Sequence, residues 1–192
     1  MSYTIPLEPG EYYHIFNRGI NGENIYKEED NYYYFMKLYS RYMKDIVNTY
    51  IYCLLYNHFH LLISVKEMIK KSPSQCFSNF FNAYAKSFNK KYKRHGSLFE
   101  KNFQRRHINN QSYLLQVVYY IHANPIKHKI AKKIENWPYS SYHAYVSNKK
   151  SKINKKDCLS WFNNLEEFKD YHDSMTLEKI EDRIKSDILV DE

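Results

Sequence analysis

The alternation of hydrophobic and polar positions divides the chain into short strand-like runs and long amphipathic helices. Tyr12 to Asn17 is a run of aromatic and branched residues halted by Arg18-Gly19 and Asn21-Gly22, which predicts a strand followed by a turn. From about Glu29 to Lys44, Tyr32, Phe35, Met36, Tyr39, Tyr42 and Met43 recur at the spacing of one buried helical face. Thr49 to Tyr56 and His58 to Val65 read as neighbouring strands joined at Asn57, too rich in tyrosine and branched residues for a comfortable helix. Ser72-Pro73 predicts a helix start, after which Phe77, Phe80, Phe81, Tyr84, Phe88 and Tyr92 form a stripe that carries the helix to Lys93 and Arg94, with a stop at Gly96.

Residues 97–108 read as a strand or extended loop, and Asn110 or Ser112 can cap a helix that should end at Pro125, where a backbone donor is missing. Ile126, Ile130 and Ile134 predict a short further helix, Trp137-Pro138 a stop, and residues 166–189 one or two weaker helices. Strands at the start and middle, separated by two long helices, predict an α+β domain with helices packed on a mostly antiparallel sheet. The expected division is a domain over residues 1–146 and an acidic, mostly helical extension over 147–192.

Composition narrows the function classes. With 192 residues, 43% of them hydrophobic and 18% aromatic, the chain carries enough apolar surface for one core and is unlike a disordered polymer. No apolar run approaches the roughly 18 residues of a membrane span, and the first residues lack a signal-peptide pattern, so the expected location is cytoplasmic and no membrane partner is expected. Cys53, Cys76 and Cys158 are odd in number and widely spaced, which argues against a disulfide framework or a thiolate zinc site.

The net charge of +8 is unevenly spread: residues 1–85 are neutral, residues 86–133 carry +11, residues 134–156 carry +4 and residues 157–192 carry −7. Cations interleaved with Phe88, Tyr92, Phe99, Phe103 and Tyr113 suit a polyanion whose backbone meets charge and whose bases meet rings. Lys86, Lys90, Lys91, Arg94, Arg105 and Arg106 are the candidate phosphate contacts.

Two short patterns carry candidate chemistry. In His58-Phe59-His60 the two imidazoles share one strand face while Phe59 points to the opposite layer, an arrangement that can hold a divalent metal. A further ligand is needed, and His14, His107, His122 or an oxygen donor are all available on sequence grounds. Tyr120 and Asn124 lie four apart on a predicted helix and so stack on one face, pointing a phenol and an amide into the same space. Tyr119 lies about 100° around that helix and faces elsewhere.

Taken in order, several segments resemble the single-tyrosine HUH transposases of the insertion-sequence type, most closely the REP-associated tyrosine transposases. They are Tyr13-His14, Phe16-Asn17-Arg18-Gly19, Tyr26, Tyr56-Asn57-His58-Phe59-His60-Leu61-Leu62-Ile63, Phe88-Asn89 with Tyr92, Gly96, Leu98 and Phe99, Tyr113-Leu114-Leu115, Tyr120-Ile121-His122-Ala123-Asn124-Pro125 and Trp137-Pro138-Tyr139-Ser140-Ser141-Tyr142. The resemblance implies a ferredoxin-like α+β fold, a divalent metal (Mg2+ or Mn2+) held by His58, His60 and Asn124, and Tyr120 as nucleophile. It implies a DNA strand transferase acting on single-stranded or hairpin DNA through a 5′-phosphotyrosine, associated with the bacterial nucleoid. A catalytically weak hairpin-binding protein of the same fold is the alternative. Both monomers and homodimers occur among such proteins, and the extension favours a monomer. Lys127-His128-Lys129 replaces the family's usual Arg-Ala-Gly after Asn-Pro, so no role carries over to that turn.

Overall fold

Six elements in the order strand, helix, strand, strand, helix, strand build the core of the computed structural model: β1 (Tyr12–Arg18), α1 (Glu29–Met43), β2 (Val47–Leu54), β3 (His58–Val65), α2 (Pro73–Lys91) and β4 (Gln104–Ile108). Then follow α3 (Gln111–Lys127), α4 (Tyr142–Val146), α5 (Lys155–Ser160) and α6 (Leu165–Ser174). The structure describes residues 5–147, 149–180 and Ile184. The sheet order is β2-β3-β1-β4 with every pairing antiparallel, the ferredoxin-like arrangement. Among the described residues no helix is long and apolar enough to cross a membrane.

β3 is buried along its whole length because both of its faces are covered. Phe59 enters the layer under α1 and α2, where its ring meets Phe35, Phe81 and Phe99. On the other face His60 meets Tyr120 of α3. The aromatic stripe of α2 is therefore core, and the helix begins as its sequence predicts, with Pro73 in the first turn and the Ser72 hydroxyl accepting from the Gln75 N–H. It ends at Lys91, a turn earlier than the stripe implies; the chain then reverses through Lys93 (φ +50°) and Gly96 (φ +82°).

Two predictions around Pro125 fail together. Capped by the Asn110 side chain on the Tyr113 N–H, α3 continues through Pro125 to Lys127, and there is no separate helix over Ile126–Ile134, only a short 3-10 turn at Ile134–Asn136. Pro125 forgoes one helical hydrogen bond, but the flanking turns hold, with the His128 N–H on the Asn124 carbonyl and the Asn124 side-chain amide on the Tyr120 carbonyl. Closure comes instead at Lys129, in the left-handed region with φ +56°. The consequence is functional: Tyr120, Asn124 and Lys127 fall on one continuous helical face.

The extension is packed rather than loose. Cys158 and Phe168 are fully buried, and α6 lies against α3 through His172 and His122. The returning chain also covers the β2 edge, with hydrogen bonds from the Ser141 N–H to Tyr52 and from the Asn154 N–H to Thr49. Of the weak helices predicted over 166–189, α6 and a 3-10 turn at Leu177–Lys179 are observed; apart from Ile184, residues beyond 180 lie outside the described residues.

Candidate active site

β3 and α3 bring His58, His60, Tyr120 and Asn124 together. The Tyr120 ring stands edge-on to His60, with centroids 5.6 Å apart, and edge-on to His14, at 5.9 Å. Tyr119 turns away to His172 of α6. Three buried atoms at this place have no hydrogen-bond partner: Nε2 of His58, Nε2 of His60 and Oδ1 of Asn124. The Asn124 side chain is within hydrogen-bonding reach of a protonated His58, which offsets part of the effect of burial; with His58 neutral and its proton on Nδ1, Nε2 and Asn124 Oδ1 are both acceptors and neither satisfies the other. Leaving three polar atoms of this kind buried and unpaired costs about 1–3 kcal/mol each, which is the signature of a place where something else binds.

The protons on the two imidazoles can be assigned from their other nitrogens. The Asn57 amide donates to the Gly22 carbonyl at 3.3 Å, so its oxygen faces His58 and accepts from Nδ1–H at 2.7 Å. Nε2 of His58 then carries a lone pair. His60 Nδ1 lies 2.9 Å from Nε2 of His14, a diagonal neighbour because Phe16 is the residue paired with His60. When His60 donates in that bond, its Nε2 also presents a lone pair, and His14 fixes the ring. Gly19 secures the loop behind this arrangement: its N–H bonds the Asn57 carbonyl at 2.7 Å, and a Cβ at that position would meet the Glu23 carbonyl at 2.0 Å.

Electrostatics keep all three rings neutral. Burial pushes His58 down to about 3, aided by neighbouring His128, and pushes His14 to about 3, aided by Arg106. His60 is driven well down by burial and then by His14 and His58. Neutral imidazoles with outward lone pairs plus an amide oxygen are a donor set for a divalent cation. Among the described residues no group of three His, Cys, Asp or Glu side chains is placed to hold a metal, so a set built on these imidazoles would need the Asn124 amide to complete it. Of the other third ligands the sequence allowed, His14 is engaged with His60, His107 bonds Glu11 at 2.6 Å, and His122 bonds His172 and Ser141.

The site is enclosed. Tyr120 is 1% exposed, and the chamber beside the imidazoles, walled by Phe16, Asn17, Arg18, Glu100 and Gln104, holds about 30 Å3, room for an ion or a water and not for a nucleotide. An open groove of about 650 Å3 adjoins it, sharing Asn17 and Glu100 and lined by Lys86, Lys101 and Arg105.

The six predicted phosphate contacts are therefore dispersed. Lys86 lines the adjoining groove. Arg105 lines it too, but its guanidinium is partly committed to the Ser74 hydroxyl, the Ile5 carbonyl and the Phe103 ring. Arg106 sits across from His14 in the β1–β4 pairing. Lys90 is exposed on α2, on the sheet face away from the imidazoles, where Lys91 pairs with Glu28 and Arg94 with Glu23. Sequence reasoning missed His14 and Asn57 as supports and Lys127, whose ammonium lies 5.7 Å over the Tyr120 ring.

No protein-family model matches the chain. A curated Haemophilus influenzae protein named "Putative REP-associated tyrosine transposase" is 28% identical over 112 residues, 49% of this chain and 58% of that protein. The alignment thus spans little more than half of the relative's length. A solved structure of the REP-associated tyrosine transposase bound to a REP hairpin superposes with a TM-score of 0.63 at 19% identity, covering 77% of this chain and 86% of that one. The chain resembles REP-associated tyrosine transposases in both sequence and fold. The α+β fold, a four-stranded antiparallel sheet with helices packed on it, is what it shares with that solved structure.

Proposed function

We propose that this protein is a metal-dependent single-strand DNA endonuclease and strand transferase that cuts beside DNA hairpins with Tyr120 as nucleophile. The observation that carries the reading is the convergence of three unpartnered buried atoms, Nε2 of His58, Nε2 of His60 and Oδ1 of Asn124, beside the Tyr120 ring. These residues would hold Mg2+ or Mn2+, which when bound polarises the scissile phosphate and offsets its developing charge. The hairpin substrate follows from the resemblance to the hairpin-bound neighbour.

In this reading the Tyr120 phenolic oxygen bonds the phosphorus as the bond to the 3′ oxygen breaks, giving a 5′-phosphotyrosine and a 3′-alkoxide that takes up a proton. The phosphodiester energy is kept for rejoining to a second 3′-hydroxyl. A phenol ordinarily titrates near 10, so its proton must be drawn off as the bond to phosphorus forms; the Lys127 ammonium, 5.7 Å over the ring, is the cation beside it. His14 and Asn57 are positioning residues that hold the two imidazoles in the tautomer that presents Nε2. The groove of Lys86 and Arg105 adjoins the chamber beside the imidazoles, and Tyr120, buried behind them, must become accessible before a phosphate meets it.

The 1% exposure of Tyr120 favours a second reading, a hairpin-binding protein of the same fold with little cleavage. The two separate on denaturing gels of protein mixed with a labelled single-stranded hairpin library, with and without Mn2+. A metal-dependent covalent adduct that vanishes in Tyr120→Phe supports the nuclease. Binding with no adduct on any hairpin supports the second reading, and an adduct that survives Tyr120→Phe moves the nucleophile elsewhere.

A further inference from the structure

A second basic groove lies at the far end of the sheet. Its floor and walls are Tyr33, Met36, Tyr39 and Met43 of α1 and Val47, Thr49 and Tyr52 of β2, and its volume is about 960 Å3. Lys37, Lys44, Lys66, Lys150 and Lys152 line it, and among the described residues no Asp or Glu does. Lys66 follows the end of β3, about 20 Å along the strand from His60, and from there the groove runs back beside β2 as far as Tyr52, which pairs with Leu61, on the α1 side of the sheet.

This charge is assembled by the fold and is invisible along the chain. Lys37, Lys44 and Lys66 come from the neutral first 85 residues, whose carboxylates mostly face elsewhere, while Lys150 and Lys152 arrive on the segment that returns along the β2 edge. Among the described residues the carboxylate paired with these lysines is Asp45, 4.0 Å from Lys44 and largely in water, too weak a pair to neutralise the groove. Lys66 donates to the Lys44 carbonyl and Lys152 to the Ser40 hydroxyl, which ties two of the ammonium groups to the rim. Tyr33 is 63% exposed beside Lys37 and offers a ring face. Fixed cations alternating with an open aromatic match the repeating phosphates and bases of a single strand.

We propose that this groove is a second binding site for single-stranded nucleic acid, separate from the cleavage chamber, and that it holds the strand flanking the processed region. The inference rests on the nucleic-acid reading of the protein but not on its cleavage activity. The test is fluorescence anisotropy with a labelled 30-nucleotide oligo-dT in metal-free buffer, over a series of salt concentrations, with the full chain and a Lys37→Gln/Lys44→Gln/Lys150→Gln variant. These three side chains are solvent-facing, and a thermal melt matching wild type verifies the fold. Each lysine that meets a phosphate contributes about 0.7 to the slope of log affinity against log salt, so the variant should lose about 2 from that slope and bind roughly tenfold more weakly near 0.15 M salt.

An unchanged slope and affinity overturns the proposal, as does failure of wild type to bind oligo-dT at all. A Lys86→Gln/Lys90→Gln control separates the cases: a fall there with none in the groove variant keeps DNA binding and moves it to the outer surface of α2. Should the groove instead hold the chain's own acidic end, cross-linking would join Lys150 to residues 181–192, and the triple variant would bind oligo-dT as well as wild type. Adduct formation with a short hairpin lacking flanks should be the same in the variant and wild type, so failure of the groove and failure of the nuclease reading are distinguishable.

Discussion

Two histidine clusters flank α3, and they differ in one respect that matters. On its sheet side are His14, His58 and His60; on its outer side His122 and His172 join Ser141. Both clusters are buried, and burial drives both down: His172 to about 4 and His122 well below its usual value. In the outer cluster every ring nitrogen is used: His172 Nδ1 donates to the Phe168 carbonyl at 2.7 Å, its Nε2 meets His122 Nδ1 at 2.9 Å, and His122 Nε2 meets the Ser141 hydroxyl at 2.8 Å. In the inner cluster the chain of contacts stops short, leaving Nε2 of His58 and of His60 bare. Burial and shifted protonation therefore do not separate the two clusters; the count of satisfied nitrogens does, and it marks His58 and His60 as the candidate ligands.

The comparison makes the outer cluster a clasp that fastens α6 to α3. Replacing His172 with Ala should remove about 3–4 kcal/mol of stability, through the cavity and the abandoned His122 nitrogen, and leave Mn2+ affinity unchanged; urea melts and calorimetry would measure the two separately. If metal affinity fell in step with stability, the distinction between the clusters would collapse.

Acid sharpens the same contrast. His172 titrates lower in the fold than in the unfolded chain, so its contribution is complete above about 6.5 and is lost as pH falls from there toward 4. On the order of 3 kcal/mol is involved at this one residue. Urea midpoints should drop steadily over that range, and His172→Asn should flatten the dependence by about one proton. A dependence identical in the variant would mean that His172 is not held neutral.

Smaller effects test the supports of the inner cluster. His14→Gln should weaken Mn2+ binding by 10- to 100-fold, about 1.4–2.7 kcal/mol, since a bond that orients His60 is altered while the ligand remains. Asn57→Ala, at the rim, should weaken it by roughly tenfold with a melt close to wild type. Calorimetric titration would measure both; affinities equal to wild type would remove the positioning role assigned to these residues.

How much of this was legible in the sequence depended on the range of the interaction. The facing of His58 and His60 follows from strand alternation, the start of α2 from Ser72-Pro73, and the start of α3 from Asn110, because each is a local rule. The contact of His14 with His60 joins residues 46 apart through the register of β1 on β3, which no local pattern encodes. Pro125 misled because the helix accepts one missing donor where burial holds both flanking turns. The charge profile pointed to residues 86–133, yet Arg105 is partly spent inside the protein, and the groove lysines come from segments that average to neutral or nearly so.

The most direct test of the central claim is a Mn2+ titration followed by electron paramagnetic resonance, run side by side on wild type, His60→Ala and His172→Asn. One bound ion is expected in wild type and in His172→Asn, and a loss of at least 100-fold in affinity in His60→Ala. Equal binding in His60→Ala, or no bound ion in folded wild type, would contradict it.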